Sequence, residues 1–364
     1  MYFCTEKRIE VLTKSLKMKK TRFTLLAIML FISVLAFAQE KVDMTPKISG
    51  FVQGMYEADF NSDFDLTTST FRMRRVRMSI DGKLTDKLSY KIQGDFLNSP
   101  MLVDAYLKYT FCDALSIQAG QFKIPFTMET AMNPVNLEFY DYGEVITKLV
   151  GYNDVCGVGK LGRDIGVMAS GKLFKVETNG KAFHLLEYDV AVFNGNGTNV
   201  VDNNNRKDIA GRIEFHPWLK ELTLTGSIYN GEFLNTNNDT KGARNRYSGG
   251  FQFKNESFVI RSEFVAGETG VNDTISNYNS NGLYAVAGYN FKLGKEKSQV
   301  LMPVLRYDRF NGNTDIDKGA KDTYSVGISY WPWKFLNMKL DYSYIKPETG
   351  KESHRIVAMI NYKF

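Results

Sequence analysis

Four guanidinium groups crowd the stretch FRMRRVRMS, where Arg72, Arg74, Arg75 and Arg77 fall within six residues. Guanidinium is permanently charged and presents a planar fork of donors matched to carboxylate or phosphate. The chemistry on offer is therefore anion recognition or ion pairing, in a segment whose intervening residues Met73, Val76, Met78 and Ile80 are apolar. Alternate residues of a strand point to opposite faces. If Val76, Met78 and Ile80 share an apolar face, Arg75 and Arg77 share a wet one. Arg74 falls out of phase. Either it lies at a rim where its stem can reach water, or a bulge between Arg74 and Arg75 turns it inward.

The same alternation places Lys91, Lys108, Arg212, Arg261, Arg306, Lys339 and Arg355 on inward rows, with Asp81, Asp95, Asp104, Glu214, Glu263, Asp308 and Asp341 among them. Many of these charges are expected to pair across strands, so any anion preference rests on the few left over at a constriction. Strand 115–126 is ambiguous in phase. Leu115, Ile117 and Ala119 suit one apolar face, while Phe122 and Phe126 suit the opposite one. A bulge near Gly120 would reconcile them and aim Lys123 inward.

Catalytic chemistry is not offered. The chain has three histidines, His184, His216 and His354. Ser353 adjoins His354 but points the other way in a strand, so no serine–histidine dyad forms locally. No HExxH, paired CxxC or nucleotide loop occurs. Neither a metal nor a cofactor is expected, and cysteine is too sparse for a disulfide framework. Cys112 in a turn and Cys156 in a long loop should lie far apart.

These charges need a scaffold with one wet and one apolar face. MKKTRFTLLAIMLFISVLAFAQE, from Met18, has the basic, apolar and small-x-small regions of an export signal cut between Ala38 and Gln39. Met18 is then the expected true start, with residues 1–38 removed and 39–364 forming one domain. That segment holds seven of the 46 basic and two of the 40 acidic residues, which leaves the remainder nearly neutral and argues against nucleic acid as a partner. Period-two alternation then recurs in sixteen stretches, at 47–60, 71–83, 88–97, 101–111, 115–126, 164–174, 184–194, 207–216, 222–233, 244–254, 258–269, 281–293, 299–310, 321–331, 336–346 and 353–364. Tight turns alternate with long Asn/Asp/Gly-rich loops. In LTLTGSIYN, Leu222, Leu224 and Ile228 oppose Thr223, Thr225 and Ser227.

A β-sandwich gives the same alternation, but 13% aromatic residues, the loop asymmetry and the final strand SHRIVAMINYKF point to an all-β transmembrane barrel. In such a barrel Arg at mid-depth on the lipid face costs ~2–4 kcal/mol, which fixes the arginines on the lumenal face. Tyr362 and Phe364 resemble the terminal signature read by outer-membrane assembly machinery.

FRMRRVRMSIDGKL (71–84), AGQFKIPFTMET (119–130) and GRDIGVMASGKL (162–173), in this order, resemble recurring blocks of the phosphate-selective porin O and P family. The resemblance implies a sixteen-stranded porin in the outer membrane of a Gram-negative bacterium, commonly trimeric, with its third loop (about 127–163) folded into the lumen. Its partners would be membrane lipids, the assembly machinery and small hydrophilic solutes, with anions such as phosphate favoured. Arg75, Arg77 and Lys123 fall in suitable blocks, although 127–163 carries no dense run of lysines. A plugged barrel acting through its outer loops in adhesion stands as the alternative.

Overall fold

The computed structural model describes residues 43–99, 101–156, 161–178, 180–235, 240–270, 277–294 and 298–364. Ala38 and Gln39, and the signal around them, lie outside the described residues. The strands are β1 (Lys47–Phe60), β2 (Leu66–Lys83), β3 (Leu88–Asp95), β4 (Leu102–Cys112), β5 (Leu115–Lys123), β6 (Arg163–Thr178), β7 (Lys181–Phe193) and β8 (Asp208–Phe215). They continue with β9 (Leu222–Asn235), β10 (Thr240–Lys254), β11 (Phe258–Thr269), β12 (Tyr278–Tyr289, resuming as Phe291–Leu293), β13 (Gln299–Asn311), β14 (Ala320–Trp333), β15 (Leu336–Pro347) and β16 (Ser353–Lys363).

Each strand pairs antiparallel with its neighbours in sequence, and β1 pairs with both β2 and β16. The sheet is thus closed into a sixteen-stranded barrel, which removes the free edges that an open sheet would expose. At the seam Phe364 and Gly50 exchange two backbone hydrogen bonds of 3.0 Å. Gly50 is required there, since a Cβ would stand 2.5 Å from the Phe364 ring and 2.6 Å from the Arg77 carbonyl oxygen.

Alternation sorts the faces as the sequence implies. Thr223, Thr225 and Ser227 are buried inside while Leu224 and Ile228 are exposed outside; Lys339 and Asp341 oppose Met338 and Leu340. Aromatic rings ring the outer face at two heights. Trp333, Phe335, Tyr362 and Phe364 lie in contact near the turn side. Tyr307, Tyr324, Tyr344 and His354 do so near the loop side. These are the interfacial girdles of a membrane barrel.

Two local expectations are settled by register. Gln53 pairs with Arg75 and Gly54 with Met73, so Arg74 is the extra residue of a bulge. Strand β5 behaves otherwise: Ser116 to Lys123 pair with β6 without a register shift. Gly120 instead adopts φ +132, where a Cβ would meet the Ala105 carbonyl at 2.2 Å. Phe122 and Phe126 therefore do not face lipid. They are 2% and 1% exposed and belong to an apolar cluster inside the barrel.

That cluster forms because the connection between β5 and β6 folds inward. It carries helix α1 (Met128–Ala131), a 3₁₀ turn at Pro134–Asn136 and helix α2 (Glu144–Leu149). Leu137, Phe139, Val145, Ile146 and Leu149 pack on lumenal Phe193, Val265, Tyr284, Val286 and Val304. The lumen is therefore only partly polar: along β7–β13 its inner wall includes an apolar seat for this third loop. Cys112 and Cys156 are both free thiols.

Candidate functional site

The third loop is fixed by reciprocal polar contacts with the wall. Wall guanidinium groups take the loop's carboxylates. Arg261 reaches Glu138 at 2.5 Å and Glu129 at 3.5 Å, and Arg306 reaches Glu129 at 3.2 Å. Arg244 and Arg246 hold Asp154 at 3.3 and 3.2 Å. Arg75 holds Asp141 at 2.8 Å, and bulged Arg74 joins it on the same carboxylate. The β2 bulge thus delivers both adjacent arginines to one acid. Burial alone would raise the Asp141 carboxyl, but Arg75 and Arg74 outweigh it and hold the group well below the usual carboxylate range.

Wall carboxylates in turn accept from the loop's backbone. Glu263 accepts from the N–H groups of Met128 and Glu129 at 2.7 and 3.1 Å, and Asp341 accepts from that of Tyr140 at 2.9 Å. Lys339 donates to the carbonyls of Leu137 and Phe139 at 2.6 and 2.8 Å. Arg355 pairs with Asp59 at 2.6 Å and donates to the Tyr140 hydroxyl at 3.4 Å.

Five of the arginines and lysines singled out in the sequence, Arg75, Arg261, Arg306, Lys339 and Arg355, therefore face inward but are engaged by this loop or the carboxylates around it. The other five, Arg77, Lys91, Lys108, Lys123 and Arg212, line an open cavity of about 550 Å³ between the loop and the wall. Arg163, at the start of β6, joins them. Sequence reading did not single out Arg163, which opens β6, or Arg244 and Arg246, which lie inside β10 and within the expected strand 244–254. For the latter two, the parity of Ser248 extended by two and four residues is the signal that finds them.

Six cationic side chains line this cavity against two carboxylates, Asp104 and Asp189. Arg163 pairs with Asp104 at 3.1 Å, Arg212 with Asp189 at 2.9 Å, and Arg77 with Asp95 behind it at 2.9 Å. Lys91 has a longer contact with Asp81, 3.4 Å. The remaining two differ. Lys123 donates to the carbonyls of Thr130 and Met132 at 2.8 and 2.7 Å and meets no carboxylate among the described residues. Lys108 has no ion pair among them.

A second cavity of about 380 Å³ adjoins on the turn side, sharing Lys108, Asp189 and Arg212. There Asp113, Glu187 and Glu214 offset the cations. Positive excess is thus concentrated beside the third loop and fades toward the turns. No group of ligands able to hold a metal occurs among the described residues.

Residues 47–364 match the sequence model of the family described as phosphate-selective porin O and P. The chain belongs to that family. This porin is a passive-diffusion channel for small hydrophilic solutes in the Gram-negative outer membrane, and its family and fold are those of a channel rather than an enzyme. No curated protein sequence matches the porin significantly. Its fold is similar to an anion-selective porin from Comamonas acidovorans (TM-score 0.64, 11% identity, covering 88% of this chain and 100% of that one). It is also similar to Salmonella typhi OmpF in complex with daunomycin (TM-score 0.64, 13% identity, 88% and 98% covered). OmpT of Vibrio cholerae, solved in a trimer form, is a further neighbour (TM-score 0.57, 11% identity, 88% and 99% covered).

Proposed function

We propose that this porin favours small anions, inorganic phosphate among them. The observation that carries the reading is the cavity beside the third loop, where six cationic groups stand against two carboxylates and Lys108 and Lys123 meet no carboxylate among the described residues. In a narrow, low-dielectric passage such unpaired charges act over the whole cross-section and raise the local concentration of counter-ions. Lys91, with its long contact, adds to them; Arg77, Arg163 and Arg212 are partly neutralised and contribute hydrogen-bond donors as much as charge.

The proposal extends to the rest of the chain's biology. The porin catalyses nothing. Its export signal is cut between Ala38 and Gln39, Tyr362 and Phe364 form the assembly signature, and three copies associate, as in the trimer form of the Vibrio cholerae neighbour. Lipid and the assembly machinery are its cellular partners. Purified porin in a planar bilayer tests the reading: under a potassium chloride gradient the reversal potential should carry the sign of chloride preference. A cation-preferring sign would refute it, and a barrel without conductance steps would favour the plugged, adhesive alternative.

A further inference from the structure

The open cavity has two unlike sides. The barrel wall supplies Arg77, Lys91, Lys108, Arg163 and Arg212, whereas the root of the third loop presents Ile124, Pro125, Ala131 and Pro134. Lys123, the last residue of β5, belongs with the wall cations, and the loop residues lining the cavity carry no charge. Tyr106 projects inward from β4 with its ring nearly perpendicular to that of Phe122, at a centroid distance of 6.2 Å. Tyr106 also lines the cavity, is only half-buried, and makes no side-chain hydrogen bond among the described residues. Phe51 lies on the same side as Arg77, whose guanidinium carbon is 5.9 Å from its ring centroid.

A hydrated inorganic ion gains nothing from isoleucine, proline and aromatic surface placed opposite its cationic contacts. A molecule with a charged end and a flat apolar body gains from both sides. The lining is polar for the most part, and its apolar surface is gathered at Phe51, Tyr106, Phe122, Ile124, Pro125 and Pro134; apolar surface facing convergent polar groups is what orients an organic ligand. We infer that the passage of this porin is a slot for organic anions bearing a ring, carboxylates or phosphate monoesters, with Tyr106 and the loop root receiving the ring and the wall cations the anionic end. The inference rests on the anion-preferring reading and specifies its substrate class.

Benzoate and acetate carry the same charge and differ by the ring, so their comparison isolates the apolar side. Each is titrated against the chloride current of single channels. Benzoate should half-block at a concentration on the order of three- to tenfold below acetate, the range expected for one favourable ring contact. Phenyl phosphate should exceed inorganic phosphate in the same sense. Tyr106→Ser should close most of the gap between benzoate and acetate while chloride-over-potassium selectivity persists, and Tyr106→Phe should keep the gap. Equal block by the two acids in an anion-selective wild-type channel overturns the inference and leaves the anion reading standing. A wild-type channel without anion selectivity overturns the reading itself. Should Tyr106→Ser fail to assemble, the wild-type comparison still decides.

Discussion

Arg261 of β11 and Glu138 of the third loop meet at 2.5 Å, both fully or almost fully buried in the middle of the barrel. The pair joins the loop to the wall at its centre, and Glu129 extends it to Arg306. Removing one partner of a buried pair costs about 3–5 kcal/mol when the other charge is left uncompensated, and less here, because Arg261 keeps Glu129 at 3.5 Å. Glu138→Gln should therefore loosen the third loop without opening the barrel. Single-channel records are expected to show noisier or larger steps, with folded porin still recovered. Unchanged, quiet steps would mean that the apolar seat alone holds the loop.

The seam supplies a second prediction. Gly50→Val places a side chain against the Phe364 ring and the Arg77 carbonyl, and the latter is backbone that cannot rotate away. Overpacking of this kind costs about 1–3 kcal/mol. The folded fraction, read from heat-modifiable gel migration, should fall. Gly249→Ala serves as a control, because its nearest neighbour would be 4.0 Å away. Equal yields of the two variants would show that the seam tolerates what the geometry forbids.

Asp141 gives a pH dependence. Its folded carboxyl is depressed by Arg75 and Arg74, so its stabilising contribution is fully present above the ordinary carboxylate pKa of ~3.9 and is lost only as pH falls through the depressed value. The difference in unfolding temperature between wild type and Asp141→Asn should stay constant from about pH 7 to about pH 5 and shrink only in stronger acid. A difference that vanishes by about pH 5 would contradict the assignment.

Much of this barrel was legible in the sequence because period-two alternation is the same physical fact as a wall with water on one side. Arg75 and Arg77 against Val76, Met78 and Ile80 follow from it directly. The third loop was not legible in the same way. Nothing in FTMETAMNPVNLEFYDYGEV states that Glu129, Glu138 and Asp141 will each meet a wall arginine, since those partners lie up to 177 residues away in the chain. Nor does alternation alone state that lumenal Tyr284 and Val286 will seat Val145 and Ile146. Phe122 was misplaced because an aromatic residue in a barrel strand suits lipid, whereas here the loop provides an apolar interior.

Lumenal cations that hold the loop's carboxylates and cations that line the passage predict different outcomes for similar substitutions, although Lys123 and Arg212 of the passage also donate to loop carbonyls. Arg75→Gln removes a positive charge from the loop anchor, where Asp141 also faces Arg74. It should lower stability while leaving the ratio of chloride to potassium permeability nearly unchanged. An equal loss of selectivity from Arg75→Gln would place the anchor in the ion path.

The most direct test of the central claim is the reversal potential of the double variant Lys108→Gln, Lys123→Gln in a potassium chloride gradient. These lysines are the two cations of the passage without a carboxylate partner among the described residues. Their removal should bring the reversal potential close to zero, with well-defined conductance steps retained. A double variant with wild-type chloride preference would show that the positive excess beside the third loop does not set selectivity.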